Sequence, residues 1–173
     1  MDHVKRVDRD LDDIRGVVGD TLDPGVAELI GQAIGTVMHE KELQDIVVGR
    51  DGRLSGPDMV AGLVAGLRKA GRNVIDIGLA PTPLVYFGSY HLRTGCCVAV
   101  TGSHNPPDYN GFKMMLGKKP FYGQQIQEIG RMAREGDVVP VSTEGHDQLP
   151  ALFIRSAISH RLKAASKKVG TSR

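Results

Sequence analysis

Apolar residues at Val26, Leu29, Ile30, Ala33, Ile34 and Val37 recur at helical spacing. Asp23-Pro24 just ahead of them supplies an N-cap with proline in the first turn, so the pattern predicts a helix from about Pro24 to Glu40. "DIVVG" follows as a short, fully apolar strand. "GRDGRLSGP" reads as a loop, with Ser55 capping and Pro57 opening a second helix that runs through about Lys69. Met59, Leu63, Val64 and Leu67 form its apolar face, and Ala70-Gly71 ends it. "NVIDIGL" is the next strand, and "APTP" forces an extended turn because each proline disfavours helix in the residue before it. "LVYFGSYHL" suits a short helix, "CCVAV" a buried strand, and "GFKMML" another. A polar helix is expected over Gln124 to Arg134 and a last one over about Pro150 to Lys167.

Short strands, apolar on both faces and alternating with helices, predict a parallel or mostly parallel sheet covered by helices. The step from "CCVAV" to "GFKMML" crosses only a loop, too short for a helical crossover, so those two strands should be antiparallel. The expected fold class is therefore α/β: a three-layer α/β/α arrangement with a mixed, mostly parallel sheet, in a single domain. Its expected limits are a charged arm at 1–10, the domain at 11–147, and a helix or linker at 148–173.

Composition narrows the function classes. A chain of 173 residues with 40% hydrophobic and 24% charged content is an ordinary globular one, long enough for a real core. A net charge of +2, with no basic run interleaved with aromatics, argues against nucleic acid as a partner. The basic tail "HRLKAASKKVGTSR" reads as a solvated helix end. "MDHVKRVDRDLDD" lacks the apolar centre of a signal peptide, and "MVAGLVAGL" is far shorter than the roughly 20 residues that span a bilayer. Cys96 and Cys97 are adjacent, so on a strand they point to opposite faces and read as reduced small hydrophobes. A cytoplasmic location with no membrane partner is the expectation.

The densest chemistry lies in "VAVTGSHNPPDYNGFK", Val98 to Lys113. Ser103 follows the carboxyl end of a predicted strand, where open α/β sheets bind ligands. Gly102 permits close backbone approach, and Asn105-Pro106-Pro107 stiffens the exit. A serine hydroxyl is a weak nucleophile that needs a neighbour to manage its proton. His104 is adjacent, and Lys113 on the following strand can serve as a general base or a phosphate-binding cation. A G-x-S-x-G hydrolase elbow is disfavoured, because Asn105 stands where the second glycine is required. By composition alone, S-H-N-P reads first as a structural turn.

"TGSHNPPDYNGFK" closely resembles the active-site serine loop of the α-D-phosphohexomutases of the bacterial phosphomannomutase/phosphoglucomutase type. The resemblance extends through "DIRGVVGDTL", "VGRDGRLSGP" and "DIGLAPTPLVYF", in the family's order. It implies that Ser103 carries a phosphoryl group and supplies one ligand to Mg²⁺, the expected cofactor. His104 matches an adjacent active-site histidine, Lys113 a lysine acting as general acid/base, and Arg15 an arginine that reaches the mouth of the site to bind substrate. Read from its own surroundings, Arg15 is a cation in a polar loop. Asp12 departs from the aromatic residue usual in that family. Arg50, Asp51 and Arg53 are candidates for phosphate binding, with a structural charge network behind the serine loop the favoured reading.

The family normally has four domains, and the resemblance covers only the first. It therefore implies that the second domain's acidic metal loop and the later sugar- and phosphate-binding loops are missing here. The D-x-D-x-D string at Asp8, Asp10 and Asp12 reads as a charged arm, and His3, His39, His91, His146 and His160 are scattered. The expected function is that of the phosphoserine-bearing domain of an enzyme interconverting mannose or glucose 1-phosphate and 6-phosphate through a bisphosphate, inactive alone. The alternative is a standalone, non-catalytic module binding sugar phosphates or a protein. Expected partners are a hexose phosphate and the missing domains, or a second copy through the apolar face of "LPALFIRSAISHRLKAA".

Overall fold

The computed structural model describes residues 13–139 and 143–148. The helix expected over 150–167 and the acidic string at Asp8, Asp10 and Asp12 lie outside the described residues. In chain order the elements are β1 (Ile14–Val17), α1 (Pro24–Glu40), β2 (Asp45–Arg50), α2 (Gly56–Lys69), β3 (Asn73–Leu79) and α3 (Thr82–His91). They continue with β4 (Cys97–Val100), β5 (Tyr109–Leu116), β6 (Lys119–Pro120), α4 (Gln124–Glu135) and β7 (Asp147–Gln148).

The strands order as β1-β5-β4-β2-β3-β7, with β6 continuing β1's edge of β5. β2, β3, β4 and β7 pair in parallel, whereas β5 runs antiparallel to β4, β1 and β6. The sheet is mixed and mostly parallel, and the antiparallel step falls where the short connection demanded it. One expectation is corrected here: "DIRGV" is no polar loop but the strand β1, which places Arg15 on the sheet.

Two layers of helix cover the sheet. On one face α1, α2 and α4 pack over Ile46, Val48, Val98, Val100, Phe112 and Met114. On the other, α3 covers Val47, Ile77, Cys97, Ala99 and Met115. Successive residues of β2 and β4 thus enter opposite cores, as strands buried on both sides must. Cys96 and Cys97 divide between the two faces and are free and buried.

Helices α1 and α2 meet backbone to backbone. A methyl on Gly66 would stand 2.0 Å from the Glu28 carbonyl oxygen, one on Gly62 2.2 Å from that of Pro24, and one on Gly31 2.4 Å from that of Leu63. The glycines are spaced four apart on α2 and, with Gly35, on α1, so each helix presents a groove to the other. Asp23 caps α1 as expected, its Oδ1 accepting from the Val26 N–H at 2.8 Å. Ser55 does not cap α2: its residue is already helical, and its hydroxyl accepts instead from Asn110 Nδ2 at 2.9 Å. That bond ties the start of α2 to the start of β5.

At the far edge, Arg68 gathers the returning chain. It donates to the Gly145 carbonyl at 3.0 Å and pairs with Asp147 at 3.1 Å, laying β7 along β3 and covering that strand's edge. Among the described residues, no helix is long and apolar enough to cross a membrane.

Candidate active site

The loop between β4 and β5 opens at the carboxyl ends of the parallel strands. Its turn is made at Ser103, whose φ of +54° lies in the left-handed region. Such a conformation costs a non-glycine residue about 1–3 kcal/mol and persists only where the surroundings impose it. Here they do. The Ser103 N–H donates to Thr101 Oγ1 at 2.9 Å, and that hydroxyl donates to Asp51 Oδ2 at 2.8 Å. Asp51 Oδ1 in turn accepts from the backbone N–H of Arg53 at 3.0 Å.

Arg53 holds the rest of the loop. Its Nη1 donates to the carbonyls of Pro106 and, at 2.8 Å, of Tyr109. Its Nη2 donates to the carbonyls of Asn105 at 2.7 Å and Ser103 at 3.3 Å, while Nε faces Asp51 Oδ2 at 3.4 Å. A planar guanidinium suits this task, because its five donors fan out in one plane. Gly102 lies flat against that plane: a methyl there would stand 2.2 Å from Arg53 Cζ. Arg53 and Asp51 are therefore the structural charge network of the two readings open for them, their donors and acceptors committed to the loop.

Ser103 Oγ, half-buried, lies 3.3 Å from His104 Nδ1, with the direction of that hydrogen bond set by the ring's tautomer. The imidazole itself is exposed. On the open side of the loop, Arg15 Nη1 donates to Asn105 Oδ1 at 2.8 Å. Arg15 also pairs with Asp13: Nη2 donates to Oδ2 at 2.8 Å, and Nε stands 2.8 Å from Oδ1 as an ion pair without hydrogen-bond geometry. Lys113 Nζ reaches the same Oδ2 at 2.7 Å. The geometry follows from register: β1 and β5 pair Ile14 with Phe112 and Arg15 with Gly111, so continuing by one residue sets Asp13 opposite Lys113.

The structure thus brings Arg15 and Lys113 together and links them to the Ser103 loop through Asn105. The residue that joins them, Asp13, was not singled out from the sequence. Its signal was the alternation of "DIR", which faces Asp13 and Arg15 the same way once the segment is a strand. Of the scattered histidines, His39 Nδ1 lies 3.4 Å from Arg72 and His91 stacks on Phe87 at 5.5 Å, both away from the loop. Burial, and then the charges of Cys97 and Asp13, push the Tyr86 phenol up on the α3 side.

Among the described residues the side chains make no magnesium site by themselves. Mg²⁺ takes six oxygen ligands in near-octahedral array. Among the described residues no group of three or more His, Cys, Asp or Glu side chains could hold a metal ion, and Asp13 is committed to two cations. What the arrangement offers is a hydroxyl on a rigid turn, an imidazole beside it, and Arg15 bonded to the same loop, with Lys113 joined to Arg15 through Asp13.

Residues 9–138 match the model of the phosphoglucomutase/phosphomannomutase α/β/α domain I, and the chain belongs to that family. It is 44% identical over 133 residues to a phosphoglucomutase of Neisseria gonorrhoeae, a match covering 77% of this chain and 29% of the relative. A phosphomannomutase/phosphoglucomutase of Pseudomonas aeruginosa is 44% identical over 143 residues, covering 82% and 31% respectively. A crystal structure of a phosphoglucomutase/phosphomannomutase family protein from Burkholderia thailandensis superimposes with a TM-score of 0.78 at 42% identity, over 83% of this chain and 32% of that one. The chain therefore spans about a third of the length of the relatives it matches.

Proposed function

We propose that this chain is the phosphoserine-bearing domain of a phosphohexomutase acting on mannose or glucose phosphates. The observation that carries the reading is the left-handed turn at Ser103. It is fixed from beneath by Arg53 and faces a mouth lined by Arg15 and Lys113. In the resting state the phosphoryl group sits on Ser103 Oγ. A free hydroxyl of the hexose phosphate attacks phosphorus: the new P–O bond forms to the sugar, the P–Oγ bond breaks, and the hydroxyl proton ends on Ser103 Oγ. Lys113 is the carrier of that proton, and Arg15 holds the substrate's charge. The resulting bisphosphate then turns over and returns its other phosphoryl group by the reverse of the same step. Phosphoserine oxygens would contribute to binding Mg²⁺, the remaining ligands coming from outside these residues.

Phosphoryl transfer rests on positioning and charge neutralisation more than on a reactive nucleophile. Orientation alone is worth roughly 7–11 kcal/mol. These 173 residues by themselves are therefore expected to take up phosphoryl slowly and to show no significant mutase turnover. The test is incubation with glucose 1,6-bisphosphate and Mg²⁺, followed by peptide mass spectrometry. Phosphoryl on Ser103 alone, lost in Ser103→Ala, is expected. Phosphoryl mapped elsewhere, or none while a four-domain relative is labelled in parallel, rejects the reading. Hexose phosphate binding without any uptake would instead favour a non-catalytic binding module.

A further inference from the structure

The function proposed above uses Arg15 and Lys113 but assigns nothing to Asp13, whose side chain is only 1% exposed. A buried carboxylate is costly unless its oxygens are matched by cations and hydrogen bonds. Here Oδ2 accepts from Arg15 Nη2 and pairs with Lys113, while Oδ1 faces Arg15 Nε as an ion pair with no hydrogen bond, and both cations are groups that would meet the phosphate. Those groups are partly exposed, Arg15 at 19% and Lys113 at 24%, so each keeps a solvent-facing surface while its charged end meets Asp13.

Two long cationic side chains close together repel one another, and each has several rotatable bonds to lose when it is fixed. A shared carboxylate removes both difficulties. It holds the cations at one spot before any substrate arrives, and it brings the formal charge of the trio to +1 rather than +2.

We propose that Asp13 is a positioning residue: a built-in counter-anion that fixes Lys113 and Arg15 for phosphoryl transfer while restraining how tightly the mouth holds a phosphate. The inference rests on the function proposed above, but its structural half is testable without it. A site built only to bind phosphate gains from an uncompensated positive charge. One that must pass a phosphoryl group back and forth gains more from fixed geometry than from uniform binding. Asp13 trades the first for the second. Its removal should therefore separate binding from transfer, which a residue that merely supports the fold does not do.

The experiment compares the native chain with Asp13→Asn, which keeps the size of the side chain and removes its charge. Brief labelling with acetic anhydride, read by mass spectrometry, reports how far each lysine is sequestered. Lys113 is expected to label at least 5-fold faster in Asp13→Asn, with Lys118 and Lys119 unchanged. Calorimetry with glucose 1-phosphate should show affinity unchanged or up to about 5-fold tighter. The rate of phosphoryl uptake on Ser103 from saturating glucose 1,6-bisphosphate should fall at least 10-fold. Unchanged Lys113 labelling overturns the proposal, and so does a loss of rate and affinity by the same factor. If Ser103 takes up no phosphoryl group even in the native chain while Lys113 labelling responds as expected, the functional reading fails and the counter-anion role stands. Arg15→Met, which leaves Asp13 in place at the base of the mouth, covers the case in which Asp13→Asn does not fold. Lys113 must stay protected in that variant, and its exposure there also overturns the proposal.

Discussion

The underside and the open side of the serine loop are each built on an arginine. Arg53 donates to four backbone carbonyls of one short segment, and its side chain is 14% exposed. Its charge is used up in shaping the chain. Arg15 donates to one loop side chain and to a carboxylate, and it stays at the mouth. The two residues are alike in chemistry and similar in exposure, so neither charge nor burial distinguishes a scaffold from a candidate binding group. What distinguishes them is the kind of acceptor. Backbone carbonyls fixed in a loop specify a shape, whereas a shared carboxylate sets a charge.

The sharpest test of that division is Lys113→Ala, which removes one cation from the open side and leaves the underside intact. Phosphoryl uptake on Ser103 should fall by about 10²–10⁴, the usual contribution of a general acid–base group, with a much smaller effect on hexose phosphate affinity. The melting temperature should fall as well, because buried Asp13 then keeps only Arg15 as a cation. An unchanged uptake rate would remove Lys113 from the mechanism.

Arg53→Ala reverses the experiment. The carbonyls of Ser103, Asn105, Pro106 and Tyr109 lose their donor, and the strained turn at Ser103 loses its support. Unfolding in urea should show a loss of about 3 kcal/mol, the scale of a charged hydrogen-bonding group removed from partly buried acceptors. Arg53→Lys should restore little of it, since an ammonium cannot span acceptors set out for a planar fork. Substantial rescue by lysine would mean that charge, not shape, governs the underside too.

Gly102→Ala probes the same surface with a single methyl. The new Cβ would fall 2.2 Å from Arg53 Cζ, and the guanidinium cannot swing aside without leaving its carbonyls. Overpacking of this kind costs about 1–3 kcal/mol. A neutral substitution would show that the loop can shift away from Arg53, and that its conformation is not specified by the contact.

How much of this could be read beforehand depended on the range of the interactions. The serine loop announced itself through Gly102, Asn105, Pro106 and Pro107, because turn chemistry is local. Helix α1 was legible for the same reason, with Asp23 and Pro24 at its start. Ser55 misled because its hydroxyl answers to Asn110, 55 residues away, which no local rule anticipates. Strand β1 escaped because four residues, one of them charged, show no apolar pattern until β5 is beside them. With β1 missed, Asp13 had no reason to face Lys113. The two-residue strands β6 and β7 are likewise consequences of packing rather than of their own composition.

The smallest expected effect concerns how abruptly the charged mouth ends. On the α3 side of the sheet, Lys113 pairs with Ala99, and two residues deeper Met115 pairs with Cys97. Within that short distance the surroundings pass from ion pairs to a dry core. Burial pushes the Cys97 thiol up to about 12, Ser89 and the Met115 backbone only partly offsetting it. An unfolded thiol ionises near 8.5. The folded state therefore keeps Cys97 protonated where the unfolded chain releases its proton. Stability from this group is fully present below about pH 8.5 and declines as the pH rises toward the folded value. At pH 10 the loss should be about 1–2 kcal/mol relative to pH 7. Urea unfolding at the two pH values, for the native chain and for Cys97→Ala, isolates the contribution, since Cys96 and the lysines are common to both. The native chain should lose more stability than the variant over that interval. Equal losses would mean that water reaches Cys97, and that the cations at the mouth stand over a wet channel rather than a sealed floor. In that case their attraction for a phosphate would be screened, and the contrast between the two sides of the loop would rest on geometry alone.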